Sequence, residues 1–190
     1  MPEHRLKALT PLAQARPVIR SVGRITIAEN PDVALASLAQ RRGREADFTA
    51  RAEALLGLAL PAPGHAAQAG DWGAIWTAPG QWFIEAPFAT HEDIAARVKE
   101  AVGDAASVTE QTDAWVRFDI TGRDAIPMFE RLSAIDIHAM QAGQATRSLI
   151  EHLGCYVICR EAGSRYSVLG MRSAAASLHH ALIQAAESVA

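Results

Sequence analysis

The apolar and polar positions alternate in short blocks. Pro2, Pro11 and Pro17 resist helix and sheet ladders, so residues 1–17 are predicted to be an extended arm. Ile25 and Ile27 then alternate with Arg24 and Thr26, which predicts a half-buried strand over 22–28. Asn30, Pro31 and Gly43 suit an N-cap, a first turn and a C-cap, predicting a helix over 31–42 with Leu35 and Leu38 on its apolar face. A second helix is expected over 45–56, where Phe48, Ala52, Leu55 and Leu56 share one face and Gly57 ends the run. Residues 58–69, with Pro61, Pro63 and Gly64, read as loop. Strands are predicted over 73–78 and 81–86, joined by Pro79-Gly80, the central pair of a type II turn.

Thr90 and Asp93 resemble a capping box for a helix whose buried stripe is Ile94, Val98 and Val102 and whose end is Gly103. A short strand over 107–110 completes an order that, apart from one extra helix, is the split β-α-β of ferredoxin-like folds. The second half is similar. A strand over 115–120 puts Val116, Phe118 and Ile120 on one face. A helix from Thr121-Gly122 to Leu132 carries Pro127, which predicts a kink or a late start. Strands over 146–152, 155–160 and 165–169 precede a last helix, capped by Ser173, with Leu178, Leu182, Ala185 and Val189 on one face. The expected fold is therefore α+β, with ferredoxin-like β-α-β-β-α-β units and antiparallel sheets. Residues 1–17 are the arm, and 18–190 form a domain of two merged halves, about 18–111 and 112–190. The two similar orders suggest a structural duplication, without a residue-level repeat.

Composition narrows the function. The chain has 190 residues, 49% apolar and 21% charged, with a net charge of −3, enough apolar material for a core and no basic excess of the kind nucleic-acid binders carry. The basic cluster Arg41, Arg42 and Arg44 falls at the end of the predicted 31–42 helix, where the dipole favours cations. No apolar run approaches the ~18 residues of a membrane span, and residues 1–20 lack a secretory apolar core, so a cytoplasmic protein without membrane or nucleic-acid partners is expected.

Candidate chemistry is sparse. Cys155 and Cys159 fall in a strand, where four residues span ~13 Å, too far for one metal or a disulfide. They read as two small residues on one face. His179 and His180 are adjacent on a helix and point about 100° apart, so they cannot share an ion, and His179 flanks the buried face. His65, His138 and His152 have no partner at a ligand spacing. Asp113 reads as a turn residue, Asp124 as a helix-start acid, and Asp119 and Asp136 as structural. No nucleophile elbow, phosphate loop or dinucleotide fingerprint is present. No catalytic, cofactor-binding or metal residue is assigned. Trp76 and Trp82, flanking the Pro79-Gly80 turn, and His179 and His180 are the candidates for a partner interface.

From Ser107 on, the run "SVTEQTDAWVRFDITGRDAIPMFERLSAIDIHAM" is similar to the start of aminomethyltransferase-like folate-binding domains. The matching features are Gly122, Asp124, Ala125, Leu132, Asp136, Gly143, Thr146 and Gly154. More of the chain resembles the gamma subunits of heterotetrameric sarcosine oxidases. "GLALPAPG", "AIWTAPGQWFIEAP", "VTEQTDAWVRFDITG", "RSLIEHLGCYVI" and "YSVLGMRSAAASLHHAL" occur in that family's order. The resemblance implies a subunit of a complex that oxidatively demethylates sarcosine to glycine. The complex would have alpha, beta and delta partners and carry FAD, FMN, NAD and tetrahydrofolate on its other subunits. This chain would pack mainly against the folate-handling part of alpha and have no active site of its own. Aminomethyltransferases place a catalytic aspartate where this chain has Ile158 and Cys159, neither able to act as a carboxylate. A free-standing folate-binding or one-carbon-transfer protein of the same fold is the alternative. A subunit made to be covered implies an exposed apolar patch, through which the isolated chain can pair as a homodimer.

Overall fold

Most strands of this chain have something to bury on both faces, and two sheets packed face to face satisfy them. The computed structural model describes residues 7–190. Its elements are β1 (Ile19–Val22), β2 (Ile25–Glu29), β3 (Val33–Gln40), α1 (Glu45–Leu56), β4 (Ala66–Ala69), β5 (Trp72–Ala78), β6 (Gln81–Pro87), α2 (Phe88–His91), α3 (Ile94–Val102), β7 (Ala106–Glu110), β8 (Trp115–Gly122), α4 (Ala125–Leu132), β9 (Ala145–Ile150), β10 (Leu153–Glu161), β11 (Arg165–Met171) and α5 (Ala175–Glu187). One sheet runs β1-β2-β8-β11-β10-β9 and the other β4-β5-β6-β3-β7, and every pairing is antiparallel.

The layers follow from which side chains meet. Val116, Phe118 and Ile120 of β8 and Cys155, Val157 and Cys159 of β10 pack against α4 and α5. Leu38, Ile84 and Ala86 pack against α1 and α3. Leu35, Ile75, Phe83, Tyr156, Ile158 and Leu169 fill the space between the sheets. The order is helices, six-stranded sheet, five-stranded sheet, helices. In the second sheet β3-α1-β5-β6-α3-β7 is a ferredoxin-like unit, with β4 added at its edge. In the first, β8-α4-β10-β11-α5 repeats that order, but its fourth strand is β2, from before the first unit in sequence. Residues 19–29 thus pair in the sheet built from residues beyond 112. The units meet again where the Ala66 N–H donates to the Gly143 carbonyl and the Ala145 N–H to that of Gly64, both at 2.8 Å, a near-symmetric stitch.

Several expectations are corrected. Residues 31–42 do not form a helix. Val33–Gln40 is the strand β3, held between β6 and β7. Its VALASLAQ run lacks alternation because both faces are buried, Leu35 against the other sheet and Leu38 against the helices. Pairing on both sides overrides the helix propensity of Ala and Leu. The basic cluster therefore follows a strand. Arg44 instead pairs with Asp47 at 2.6 Å and with Asp104 at 3.1 Å. The predicted 58–69 loop contains β4. Thr90 belongs to α2, and its hydroxyl donates to the Pro87 carbonyl, so no capping box forms. Instead, Asp93 accepts from Arg97 at 2.6 Å. Of the kink or late start expected from Pro127, the late start is found: the helix begins at Ala125, with Pro127 as its third residue, where no intrahelical N–H bond is lost. Ser173 lies in a 3-10 turn before α5, and Val189 lies beyond it.

The middle of the inter-sheet layer is charged. Glu85 of β6, 6% exposed, points at the other sheet, over Gly73, where a Cβ would come within 2.6 Å of its Cγ. Arg160 Nη2 donates to both its oxygens, at 2.9 and 3.2 Å, and Arg117 Nη1 to one, at 3.3 Å. Arg117 Nε donates to Asp119 at 2.7 Å, as do the Ser167 hydroxyl at 2.6 Å and the Asn30 amide at 2.7 Å. Arg160 Nε donates to Ser167 at 3.0 Å. Two guanidinium and two carboxylate groups cancel in charge. Burial pushes the Asp119 carboxyl up, but Arg117, Ser167 and Asn30 outweigh it and hold the group below its ordinary range.

Removing one member strands the others. Glu85→Gln leaves two buried arginines short of a carboxylate and is expected to cost about 3 kcal/mol or more in urea unfolding. Asp124→Asn breaks the Arg24–Asp124 pair, in which Arg24 is 68% exposed and solvent screens the attraction, and is expected to cost far less. Equal costs for the two would refute this account. Because the folded Asp119 pKa is depressed, its contribution is present above the ordinary value of 3.8 and fades as pH falls through and below it. Acid titrations of Asp119→Asn should therefore show a shallower loss of stability below that pH than the parent.

Candidate functional site

Away from the 64–66 stitch, the sheets part and leave a cavity of about 640 Å³. Its walls come from separate stretches: the arm (Leu9, Pro11), the β2–β3 turn and start of β3 (Pro31, Asp32), the start of α2 (Phe88), and β8 and β11 with their flanks (Trp115, Arg172). Glu85 and Arg117 of the ion cluster face into it.

Local chemistry explains each wall. The arm is tied to the sheet over its described residues. The buried carboxylate of Glu29 accepts the Leu12 N–H at 2.8 Å and the Val18 N–H at 3.0 Å, and Arg172 Nη2 donates to the Leu9 carbonyl at 3.1 Å. Two backbone donors on one carboxylate close the intervening residues into a loop. Across the cavity the Thr112 hydroxyl accepts the Leu35 N–H at 2.9 Å, which holds the 111–114 turn against β3. The Trp115 indole N–H donates to Gln111 Oε1 at 3.2 Å, and its ring lies 5.1 Å from Phe83 and 5.6 Å from Tyr156. Each wall is thus preorganised.

The mouth is apolar and acidic. Leu9, in the lining, is 50% exposed. Asp32 is exposed, and its carboxylate has no hydrogen-bond or ion-pair partner among the described residues. Asp113 is a turn residue as expected, and its carboxylate accepts from Arg172 Nη1 at 3.0 Å. Inside, both carboxylates of the ion cluster already hold arginines. The site has the form of a binding cavity whose inner carboxylates are already engaged by arginine.

The four interface candidates lie elsewhere, on opposite outer layers. Trp82 stacks on Phe48 of α1 at 5.5 Å and donates its indole N–H to the Pro61 carbonyl at 3.0 Å. Trp76, its partner across the β5–β6 hairpin, is half-buried. On α5, His179 lies 5.5 Å from Phe118, with its Nε2 buried and without a hydrogen-bond partner among the described residues, and burial lowers its pKa. His180 is exposed. Cys155 and Cys159 are both buried on the helix side of β10, as read from their spacing, and burial pushes the Cys155 thiol up to about 11. Ile158 points the other way, into the inter-sheet layer.

The cavity and its charged floor have no motif. One signal was present. Glu85 sits in the apolar run WFIEAP at the same parity as Phe83, and such a position is buried only if both faces are covered. Arg117 and Asp119 looked like the solvent face of a half-buried strand until the second sheet covered them.

No protein-family model matches the chain, and no curated protein matches it. Solved structures do. A chain of the heterotetrameric sarcosine oxidase from Corynebacterium sp. U-96, in complex with pyrrole 2-carboxylate, superposes with a TM-score of 0.78 at 16% identity, over 90% of this chain and 88% of that one. The glycine cleavage system aminomethyltransferase T from Bartonella henselae superposes with a TM-score of 0.63 at 11% identity, over 85% of this chain, which spans 46% of that enzyme. The chain therefore has the α+β fold, with two antiparallel sheets, of a chain of heterotetrameric sarcosine oxidase, and shares it with part of an aminomethyltransferase.

Proposed function

We propose that this chain is the gamma-type, non-catalytic subunit of a heterotetrameric sarcosine oxidase that demethylates sarcosine to glycine. It packs there against the folate-handling part of the alpha subunit, while FAD, FMN, NAD and tetrahydrofolate reside on the other subunits. The observation that carries this reading is the pair of coverages. Nearly all of this chain matches nearly all of one chain of such a tetramer, so the two are close in length as well as fold. Against the aminomethyltransferase it matches less than half of the enzyme. The site supports the same reading. Glu85, the buried acid that lines the cavity, is engaged by Arg160 and Arg117, and the half-buried Asp119 behind it by Arg117.

The test is co-expression with the alpha, beta and delta subunits of such an oxidase. Tagged on this chain, the complex should co-purify and oxidise sarcosine, and the isolated chain should neither turn over sarcosine nor carry flavin. Turnover by the chain alone refutes the non-catalytic role, and failure to co-purify refutes the partnership. Micromolar binding of tetrahydrofolate by the isolated chain would favour a free-standing folate-binding protein instead.

A further inference from the structure

We propose that the cavity beneath the N-terminal arm binds a small flat molecule that carries a neutral hydrogen-bond acceptor and a protonated amine. A volume of about 640 Å³ falls in the range of sites for small organic ligands, and a mostly apolar wall with a few convergent polar groups is their usual composition. Trp115 and Phe88 offer aromatic surfaces for a flat body.

The charges select the rest. Glu85, Asp119, Arg117 and Arg160 are mutually neutralised, so a ligand that brought a full charge to this floor would bury it without a counter-charge. The inner group must therefore be neutral. Arg117 donates through Nε and Nη1, and its Nη2 has no hydrogen-bond partner among the described residues, so it asks for an acceptor such as an amide carbonyl. At the mouth Arg172 is committed to Asp113 and to the Leu9 carbonyl, which leaves the Asp32 carboxylate as the unpaired charge among the described lining residues. A protonated amine answers it and gains from the Trp115 ring as well. A carboxylate tail is disfavoured at the same place.

Three benzamides of one shape test this on the isolated chain: N-(2-aminoethyl)benzamide (cationic), N-propylbenzamide (neutral) and N-benzoylglycine (anionic). The readout is the Trp115 indole N–H resonance, assigned with Trp115→Phe. The amine should saturate it with a Kd about fivefold below that of the neutral compound, the effect of one exposed ion pair, and the acid should bind more weakly than either. Asp32→Asn, at an exposed position, should abolish the amine's advantage, and Arg117→Met should weaken all three. If Arg117→Met does not fold, Asp32→Asn still decides. No saturable shift at Trp115, equal affinities, or tightest binding of the acid would overturn the proposal. The other subunits take no part, so its failure and that of the proposed function are separately visible.

Discussion

The packing of one sheet on the other depends on Glu85. It is the charged group that the five-stranded sheet sends into the inter-sheet layer, and Arg117 and Arg160 of the six-stranded sheet close on it. Asp119, two residues along β8 from Arg117, completes the neutralisation, and Ser167 of β11 bridges Arg160 and Asp119. Apolar contacts around the cluster tolerate a small slide of one sheet over the other, since Leu, Ile and Phe meet without direction. The cluster does not. A slide that parts Glu85 from its arginines leaves buried charge uncompensated, so the arrangement is specified by what the alternatives cost.

That specified arrangement positions everything else. The sheets are stitched by backbone bonds at residues 64–66 and 143–145 and diverge on the other side, where the strand order leaves room beside β3 and β8. The arm crosses this opening because Glu29, buried in β2, has two oxygens to satisfy and takes the Leu12 and Val18 N–H groups to do so. The polar floor of the cavity is the flank of the cluster that fixes the sheets. Structural and binding roles share Arg117, which leaves Asp32 at the mouth as the position where binding can be altered without touching the fold.

Much of the chain was legible because its periodicity reports a local fact. Helix α1, the β5–β6 hairpin and α3 follow from spacing and from Gly57, Gly80 and Gly103, and the strand reading of Cys155 and Cys159 correctly put both on one buried face. The failure at β3 has a definite cause. A strand with neighbours on both sides and cover on both faces loses its alternation, and an Ala- and Leu-rich run then reads as helix. The caps drawn at Thr90 and Ser173 failed because short turns, α2 and the 3-10 turn, intervene before the helices proper.

By itself, then, the sequence determined the class of fold and most of the element types, because these depend on residues close along the chain. The tertiary structure alone decided that β2 completes the unit that follows β8, that Glu85 meets arginines 32 and 75 residues away, and that a cavity opens under the arm. Those features arise between segments distant in sequence. Whether Arg117 and Asp119 face water or a second sheet depends on a layer that no local pattern reports.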